Sequence, residues 1–218
     1  MRIIEQFTTS DGAEYGMLES GAIKHLNPKP FTYDAAYSAI YDSPERVALS
    51  NQLQSLRYVF ATAAHGRKIS SITDVGYGNG AFMKFVQPLI PIVCGLDITD
   101  VPVPAGCRRI ESYQPCDAIT FHDCLEHFED ISFVKELPCE TLVVSLPYCH
   151  YYTRGKDWFD KQYFHRKPSE HIWHFSGPAL EVTMANFGWF KVAVSNHEDI
   201  IRKRDEEWNI LSIAFKRK

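Results

Sequence analysis

The sequence predicts an α/β fold, a mostly parallel sheet with an antiparallel strand pair at one edge, preceded by an N-terminal helical extension. Three observations carry this. From Ile69 onward, short apolar runs alternate with helical stretches, the pattern of strand–helix–strand units. A glycine-rich turn, Gly76-Tyr77-Gly78-Asn79-Gly80, joins the first of those runs to a helix. The last two runs follow each other without an obvious long helix, which suits an antiparallel pair rather than a crossover.

The elements follow in order. Arg2–Phe7 and Glu14–Glu19 flank Ser10-Asp11-Gly12, and Asp-Gly is a strong hairpin turn. Tyr33, Tyr37 and Tyr41 recur every fourth residue as one face of a short helix. Ser43-Pro44-Glu45 opens a second helix, serine as cap and proline at the first helical position, and His65-Gly66 ends it. Strands are expected at Ser71–Val75, Ile92–Asp97, Cys107–Glu111, Asp117–Phe121, Thr141–Leu146, Phe190–Ser195 and Ile210–Phe215, with helices at Ala81–Val86 and Ala179–Phe187. The expected organisation is an extension over 1–55 and a sheet domain over 56–218 carrying an insertion at about 147–176.

Composition narrows the classes. The 218 residues are 45% apolar and 23% charged, near the average for globular chains, and suit one domain with an elaboration. A net charge of −4 argues against a uniformly basic nucleic-acid binder and leaves room for a local basic patch. The longest nearly apolar run, Pro88 to Leu96, is about half the length of a membrane-spanning helix. MRIIEQFTTSDG at the start has no long apolar stretch, so a cytoplasmic location without a secretory leader is expected. None of the six cysteines forms a C-x-x-C pair, and free thiols in a reducing compartment are expected.

The glycine-rich turn is the most informative segment. It stands where a strand ends and a helix opens, and glycines there let the backbone turn sharply and approach a ligand with no Cβ in the way. Asp97 ends the next strand, 23 residues beyond Asp74, where a carboxylate can accept both hydroxyls of a ribose. The string also satisfies G-x-G-x-x-A, a dinucleotide fingerprint. Asp74 stands two residues before the first glycine, however, and Gly80 adds a third at alternating spacing. A carboxylate there repels a pyrophosphate and suits a ligand carrying an ammonium and a sulfonium.

These residues carry a resemblance. Asp74-Val75-Gly76-Tyr77-Gly78-Asn79-Gly80 resembles motif I of class I S-adenosylmethionine-dependent methyltransferases, and Gly95-Leu96-Asp97 is similar to their second-strand acid. Cys116 to His127, CDAITFHDCLEH, resembles the fourth-strand signature of the branch that includes ubiquinone-biosynthesis O-methyltransferases. Glu170-His171-Ile172-Trp173-His174-Phe175-Ser176, followed by Phe187-Gly188-Trp189, is similar to a later pattern of that branch. The likeness spans about Leu56 to the C-terminus.

The resemblance implies a Rossmann-like seven-stranded sheet that binds S-adenosylmethionine, with S-adenosylhomocysteine as product. It implies that Gly76, Gly78 and Gly80, with Tyr77 and Asn79, line the methionine moiety. Asp74 would hold the amino group, Asp97 with Ile98 the nucleoside, and His122 and Asp123 would lie along the cofactor. Arg57 resembles an arginine that pairs with the methionine carboxylate, although a solvated helix arginine is an equal alternative. The chain departs from the pattern between Asp97 and Asp117, where nineteen residues with Pro102 and Pro104 leave no room for the usual helix. Glu111 is then a weak candidate for reading an adenine amino group.

Further polar groups invite assignment. Asp123, Glu126 and His127 fall at i, i+3 and i+4, one face of an expected helix. A divalent cation there is the less favoured reading, and no metal ligand is assigned. Spacing of His150, His165, His171 and His174 matches no standard zinc site. Tyr148 to Phe175 holds nine aromatics in twenty-eight residues, interleaved with Lys156, Lys161, Arg166 and Lys167. It reads as part sheet cover and part acceptor side of a pocket, with Trp158 and Tyr163 as exposed stacking members.

The leading function is methyl transfer to an oxygen or nitrogen of a small or medium acceptor, with His127, His174 and Glu170 as base candidates beside His150. The partner is then a small-molecule or nucleotide-like acceptor. Nucleic-acid or nucleotide methylation is the alternative, resting on the aromatic–basic segment. The chain lacks the N/D-P-P-Y/F signature of amino-methylating DNA enzymes, and neither Pro115-Cys116 nor Pro138-Cys139, each leading into a strand, suits a cytosine-C5 nucleophile. A non-catalytic binding module that kept the fold is a third class, and a nicotinamide oxidoreductase the weakest.

Overall fold

The computed structural model describes residues 1–32, 44–202 and 208–217. The tyrosine stripe at Tyr33, Tyr37 and Tyr41 and the Ser43 cap lie outside the described residues.

The expected hairpin is present. Strands β1 (Ile3–Thr8) and β2 (Glu14–Leu18) pair antiparallel with Phe7 opposite Tyr15. Gly12 adopts φ +83° in the turn, and its amide donates to the Thr9 carbonyl at 2.9 Å. A third strand, β3 (Ile23–His25), extends this sheet beyond what the sequence suggested. Helix α1 (Pro44–His65) then runs unbroken. The boundary drawn between residues 55 and 56 falls inside it.

The main sheet holds seven strands. In chain order they are β4 (Ser71–Val75), β5 (Ile92–Leu96), β6 (Arg108–Arg109), β7 (Cys116–His122), β8 (Cys139–Pro147), β10 (Trp189–Ser195) and β11 (Ile210–Arg217). Their spatial order is β10-β11-β8-β7-β4-β5-β6. Pairs among β4, β5, β6, β7 and β8 are parallel, while β11 runs antiparallel to both β8 and β10. The expected antiparallel edge is therefore present, with β11 inserted between β8 and β10. No helix separates β5 from β6, as the prolines required.

Alternation along β8 shows how the sheet is buried on both faces. Leu142, Val144 and Leu146 enter one core, with Phe121, Phe175 and Trp189, under helix α4 (Gly177–Ala185). Val143 enters the opposite core, with Ala61 of α1 and Phe82, Met83 and Val86 of α2 (Ala81–Val86). Ser176 caps α4 by accepting from the Ala179 amide at 3.3 Å, with Pro178 in the first turn.

The segment from 147 to 176 corrects an expectation. It forms helix α3 (Tyr151–Lys161) and strand β9 (Trp173–His174), and β9 pairs with β3 to complete a four-stranded sheet, β1-β2-β3-β9. Trp158 and Tyr163 are not exposed. They are 4% and 5% accessible, packed with Phe7, Tyr15 and Phe159 in a third core. The charges here are structural too: Asp160 accepts from the Ser10 amide and hydroxyl, and Arg166 holds Asp11 at 2.9 Å. The aromatic density covers the N-terminal sheet, a packing partner more than a hundred residues away along the chain.

Candidate functional site

Strand order reverses at β4: the chain winds through β5 and β6 on one side of it and through β7 and β8 on the other. Open α/β sheets bind ligands in the crevice at such a point, outside the carboxyl ends of the strands. Gly76 follows β4, Asp97 follows β5, His122 ends β7 and Asp123 follows it. The sheet thus gathers residues that the sequence singled out separately.

The loop after β4 has one open face. Gly76 (φ +68°) donates its amide to the Leu96 carbonyl at 2.8 Å, and a Cβ there would overlap the Cys124 sulfur. At Gly80 a Cβ would meet Pro104 at 2.8 Å. At Gly78 (φ +54°) nothing lies within 4 Å of a Cβ position. Gly78 is therefore the glycine that faces free space. Its amide donates to Asp97 Oδ2 at 2.9 Å, while Asp97 Oδ1 accepts from the Thr99 amide and hydroxyl, each at 2.8 Å. Ile98, 78% accessible, stands beside them as an unusually exposed apolar residue.

Other loop residues are scaffold. The Tyr77 ring is buried against Met83 and Val93, and its hydroxyl donates to the Val101 carbonyl. Asn79 Oδ1 accepts from the Ala81 amide at 3.2 Å. Arg109 donates to the carbonyls of Thr99 at 2.7 Å and Asp97 at 3.0 Å, fastening the helix-free connection after β5. Glu111 is exposed and paired with Arg109.

Below the loop, Asp74 is buried and accepts from the Thr120 hydroxyl at 2.8 Å. Burial pushes its carboxyl up to about 7, against the opposing pull of that hydroxyl and of Arg57. His122 is buried with neither ring nitrogen hydrogen-bonded, edge-on to Phe82, and burial reinforced by Arg57 holds its pKa well below the usual imidazole range.

Arg57 is not a solvated helix arginine. Its side chain is buried, Nε donates to Glu198 Oε1 at 2.8 Å, and Nη2 donates to Glu198 Oε2 and Asp123 Oδ2 at 3.1 Å each. Arg202 joins the same group, touching Glu198 at 3.1 Å and Asp123 by a closer contact. Burial raises the Asp123 pKa, but Arg202 and Arg57 outweigh it and hold the carboxyl well below its ordinary range. Nothing in the spacing of Arg57, Glu198 and Arg202 announced this network.

The expected helix after β7 is absent. Asp123 has φ +52°, and Leu125–His127 form a single 3-10 turn. Asp123 turns to the arginines, and His171 takes its place beside Glu126 and His127, its ring 4.7 Å from that of His127. Glu126, 1% accessible, has no hydrogen-bond partner on either oxygen. Among the base candidates, His174 is corrected: it is 2% accessible, enclosed by Tyr15, Phe159 and Tyr163, and burial lowers its pKa to about 3, so it is a packing group. His150 donates to the Trp208 carbonyl. Glu170 pairs with Lys167 at 3.2 Å and lies beside His127.

The architecture has known counterparts. A Burkholderia thailandensis 1,6-didemethyltoxoflavin-N1-methyltransferase, solved with 1,6-didemethyltoxoflavin and S-adenosylhomocysteine, superposes with a TM-score of 0.60 at 11% identity, covering 94% of this chain and 99% of that one. Magnesium protoporphyrin IX methyltransferase from Synechocystis PCC 6803, with S-adenosylhomocysteine, gives 0.57 at 13% identity over 84% and 93%. An S-adenosylmethionine-dependent methyltransferase from Clostridium acetobutylicum gives 0.57 at 10% over 83% and 97%. The fold is that of the S-adenosylmethionine-dependent methyltransferases. No family model and no curated protein matches the sequence itself. Among the described residues, no helix is long and apolar enough to cross a membrane.

Proposed function

We propose that the chain is a methyltransferase that binds S-adenosylmethionine across the β4 and β5 carboxyl ends and methylates an oxygen or nitrogen of a small or medium acceptor. The observation that carries this reading is the Gly78–Asp97 hydrogen bond beside the open space at Gly78. A Cβ-free loop with a carboxylate fixed against it fits a nucleoside whose ribose must lie close to backbone. The methionine end would reach Asp74, whose carboxylate form the ligand's ammonium would stabilise, and Ile98 would cover the adenine.

Arg57 contributes less directly than its position suggests. Two of its nitrogens are committed to Glu198 and Asp123, so its field, more than a free guanidinium, would favour the ligand carboxylate. When bound, S-adenosylmethionine supplies a methyl group already activated by the sulfonium. The protein's own part is alignment of the nucleophile, exclusion of water, and acceptance of a proton where the nucleophile carries one. That last role would fall to His127 of the turn after β7 and to Glu170, which packs beside it from the segment before β9, rather than to buried His174.

The nucleic-acid alternative loses its main support, because Trp158, Tyr163 and Arg166 are engaged inside the protein. Calorimetry with S-adenosylmethionine and NAD, run separately on wild type and Gly78→Val, tests the cofactor. Micromolar S-adenosylmethionine binding, lost in a folded Gly78→Val protein, is expected. NAD binding alone, or unchanged affinity in the variant, would sink the reading. Release of S-adenosylhomocysteine across an acceptor panel separates an enzyme from a binding module.

A further inference from the structure

A hollow of about 200 Å³ lies on the α4 side of the main sheet, away from the proposed cofactor crevice. β11, which supplies its floor, is three strands from β4, roughly 14 Å at the usual spacing of strands. That floor is aliphatic: Leu211 and Ile213 are each 1% accessible, and Val194 of β10 stands opposite Ile213. Pro178, in the first turn of α4, adds to the wall. Gly177 before it leaves room, since a Cβ there would come within 3.7 Å of Tyr148 and 3.9 Å of Leu211. A closed apolar cavity of about 150 Å³ is enough to hold benzene, so this hollow can take a single six-membered ring.

Two aromatic rings complete the lining. Tyr148 follows β8 and Trp208 precedes β11, both half-buried, with ring centroids 6.1 Å apart. Trp208 is held there at a cost: its φ is +59°, left-handed backbone that a bulky residue rarely adopts. Asp199 fixes the chain just after it by accepting from the Asn209 and Ile210 amides at 3.0 and 2.8 Å. His150 fixes the residue itself by donating to the Trp208 carbonyl at 3.2 Å. Aromatic rings around a hollow favour an aromatic guest over an aliphatic one of equal size.

The solvent side carries opposite charges. Lys191 of β10 and Glu181 of α4 both line the hollow and are joined by a salt bridge. Their side chains are 38% and 42% accessible, so the pair is worth little and exchanges readily. A guest with one charge meets one attractive and one repulsive neighbour, and the two nearly cancel. A guest with both charges on one head replaces a single ion pair with two. We propose that this hollow binds a free aromatic α-amino acid, its ring against Tyr148 and Trp208, its ammonium on Glu181 and its carboxylate on Lys191. The site is separate from the one proposed for S-adenosylmethionine, and no step of methyl transfer passes through it.

The test uses L-phenylalanine as probe on the full chain, with no turnover required. Trp158, Trp173 and Trp189 are buried, at 4%, 4% and 0% accessible, so Trp208 is the indole that reports on the hollow. A saturable change in indole emission and one site per chain by calorimetry are expected, and the emission change should vanish in Trp208→Phe. Affinity should fall at least about tenfold in Lys191→Ala and in Glu181→Gln, the scale of losing one charged hydrogen bond. Both are surface changes, and their melting temperatures should stay near that of wild type. The same loss is expected when 3-phenylpropionate or phenethylamine, each with one charge, replaces phenylalanine. Absence of saturable phenylalanine binding, an emission change that survives in Trp208→Phe, unchanged affinity in both charge variants, or equal binding of the singly charged analogues would overturn the assignment. None of these results depends on S-adenosylmethionine, so the site and the proposed methyl transfer fail separately.

Discussion

Arg57 of α1 and Glu198 of the 3-10 turn His197–Ile200 form a two-point ion pair at 2.8 and 3.1 Å, with Glu198 wholly buried. The pair joins the helix that covers one sheet face to the connection between β10 and β11. Asp123 and Arg202 complete it, so two cations face two anions at the carboxyl edge of β7.

Breaking one partner of a buried pair strands the other charge without solvent. Glu198→Ala should therefore lower the unfolding free energy by about 3–5 kcal/mol, and Glu198→Gln by less, because it keeps a hydrogen-bond acceptor. Urea unfolding checks this through a shifted midpoint at constant slope. A shift below about 1 kcal/mol, the worth of an exposed pair, would show that the network does not bear on the fold.

Asp74 gives a pH dependence of defined sign. Its carboxyl is raised to about 7 in the folded protein and returns to about 3.9 in the unfolded chain. The folded state then binds the proton more tightly, and its stabilising contribution is complete below about pH 4, declines as pH rises, and is gone above about pH 7. Asp74→Asn removes this slope. The variant should gain on wild type across that window, by a few kcal/mol at its upper end. Urea midpoints for both proteins from acid to neutral pH decide it, and parallel curves would show that Asp74 titrates normally.

S-adenosylmethionine affinity should follow the same group in the opposite direction. The bound ammonium favours ionised Asp74, so affinity should rise with pH up to about 7, with proton release on binding in the acidic part of that range. Calorimetry in two buffers of different ionisation enthalpy reads the released proton. Binding without proton exchange at pH 6 would place the amino group elsewhere.

Asp97→Ala should weaken S-adenosylmethionine by about 1–3 kcal/mol, the scale of losing a charged hydrogen-bond partner. It also frees the Gly78 and Thr99 amides that Asp97 now holds. Circular dichroism should show the fold intact, since Asp97 stands beyond the end of β5. Unchanged affinity would put the ribose on another residue.

Trp158→Ala should act on stability and leave S-adenosylmethionine binding alone. The indole lies in the core between α3 and the N-terminal sheet, 4.9 Å from the Tyr163 ring, and removing a buried tryptophan costs about 3–5 kcal/mol. Thermal melts and ligand titration on the same protein separate the two effects. A normal melt with impaired acceptor use would restore Trp158 to the pocket.

The sequence by itself determined the seven main-sheet strands, the two helices at Ala81–Val86 and Ala179–Phe187, the N-terminal hairpin, and the glycine loop with Asp97 opposite it. Those features are written in neighbouring residues: short apolar runs between helical stretches, an Asp-Gly turn, glycines where φ must be positive. The tertiary structure decided the rest. It turned Asp123 from the expected helix toward two arginines, brought His171 to Glu126 and His127, and buried Trp158 and Tyr163 against Phe7 and Tyr15. An aromatic or a charge has the same local pattern whether solvent, a ligand or a distant segment will meet it. What meets it is settled only when β3 pairs with β9 and α1 docks on the sheet, because burial and ion pairing depend on distance in space rather than along the chain.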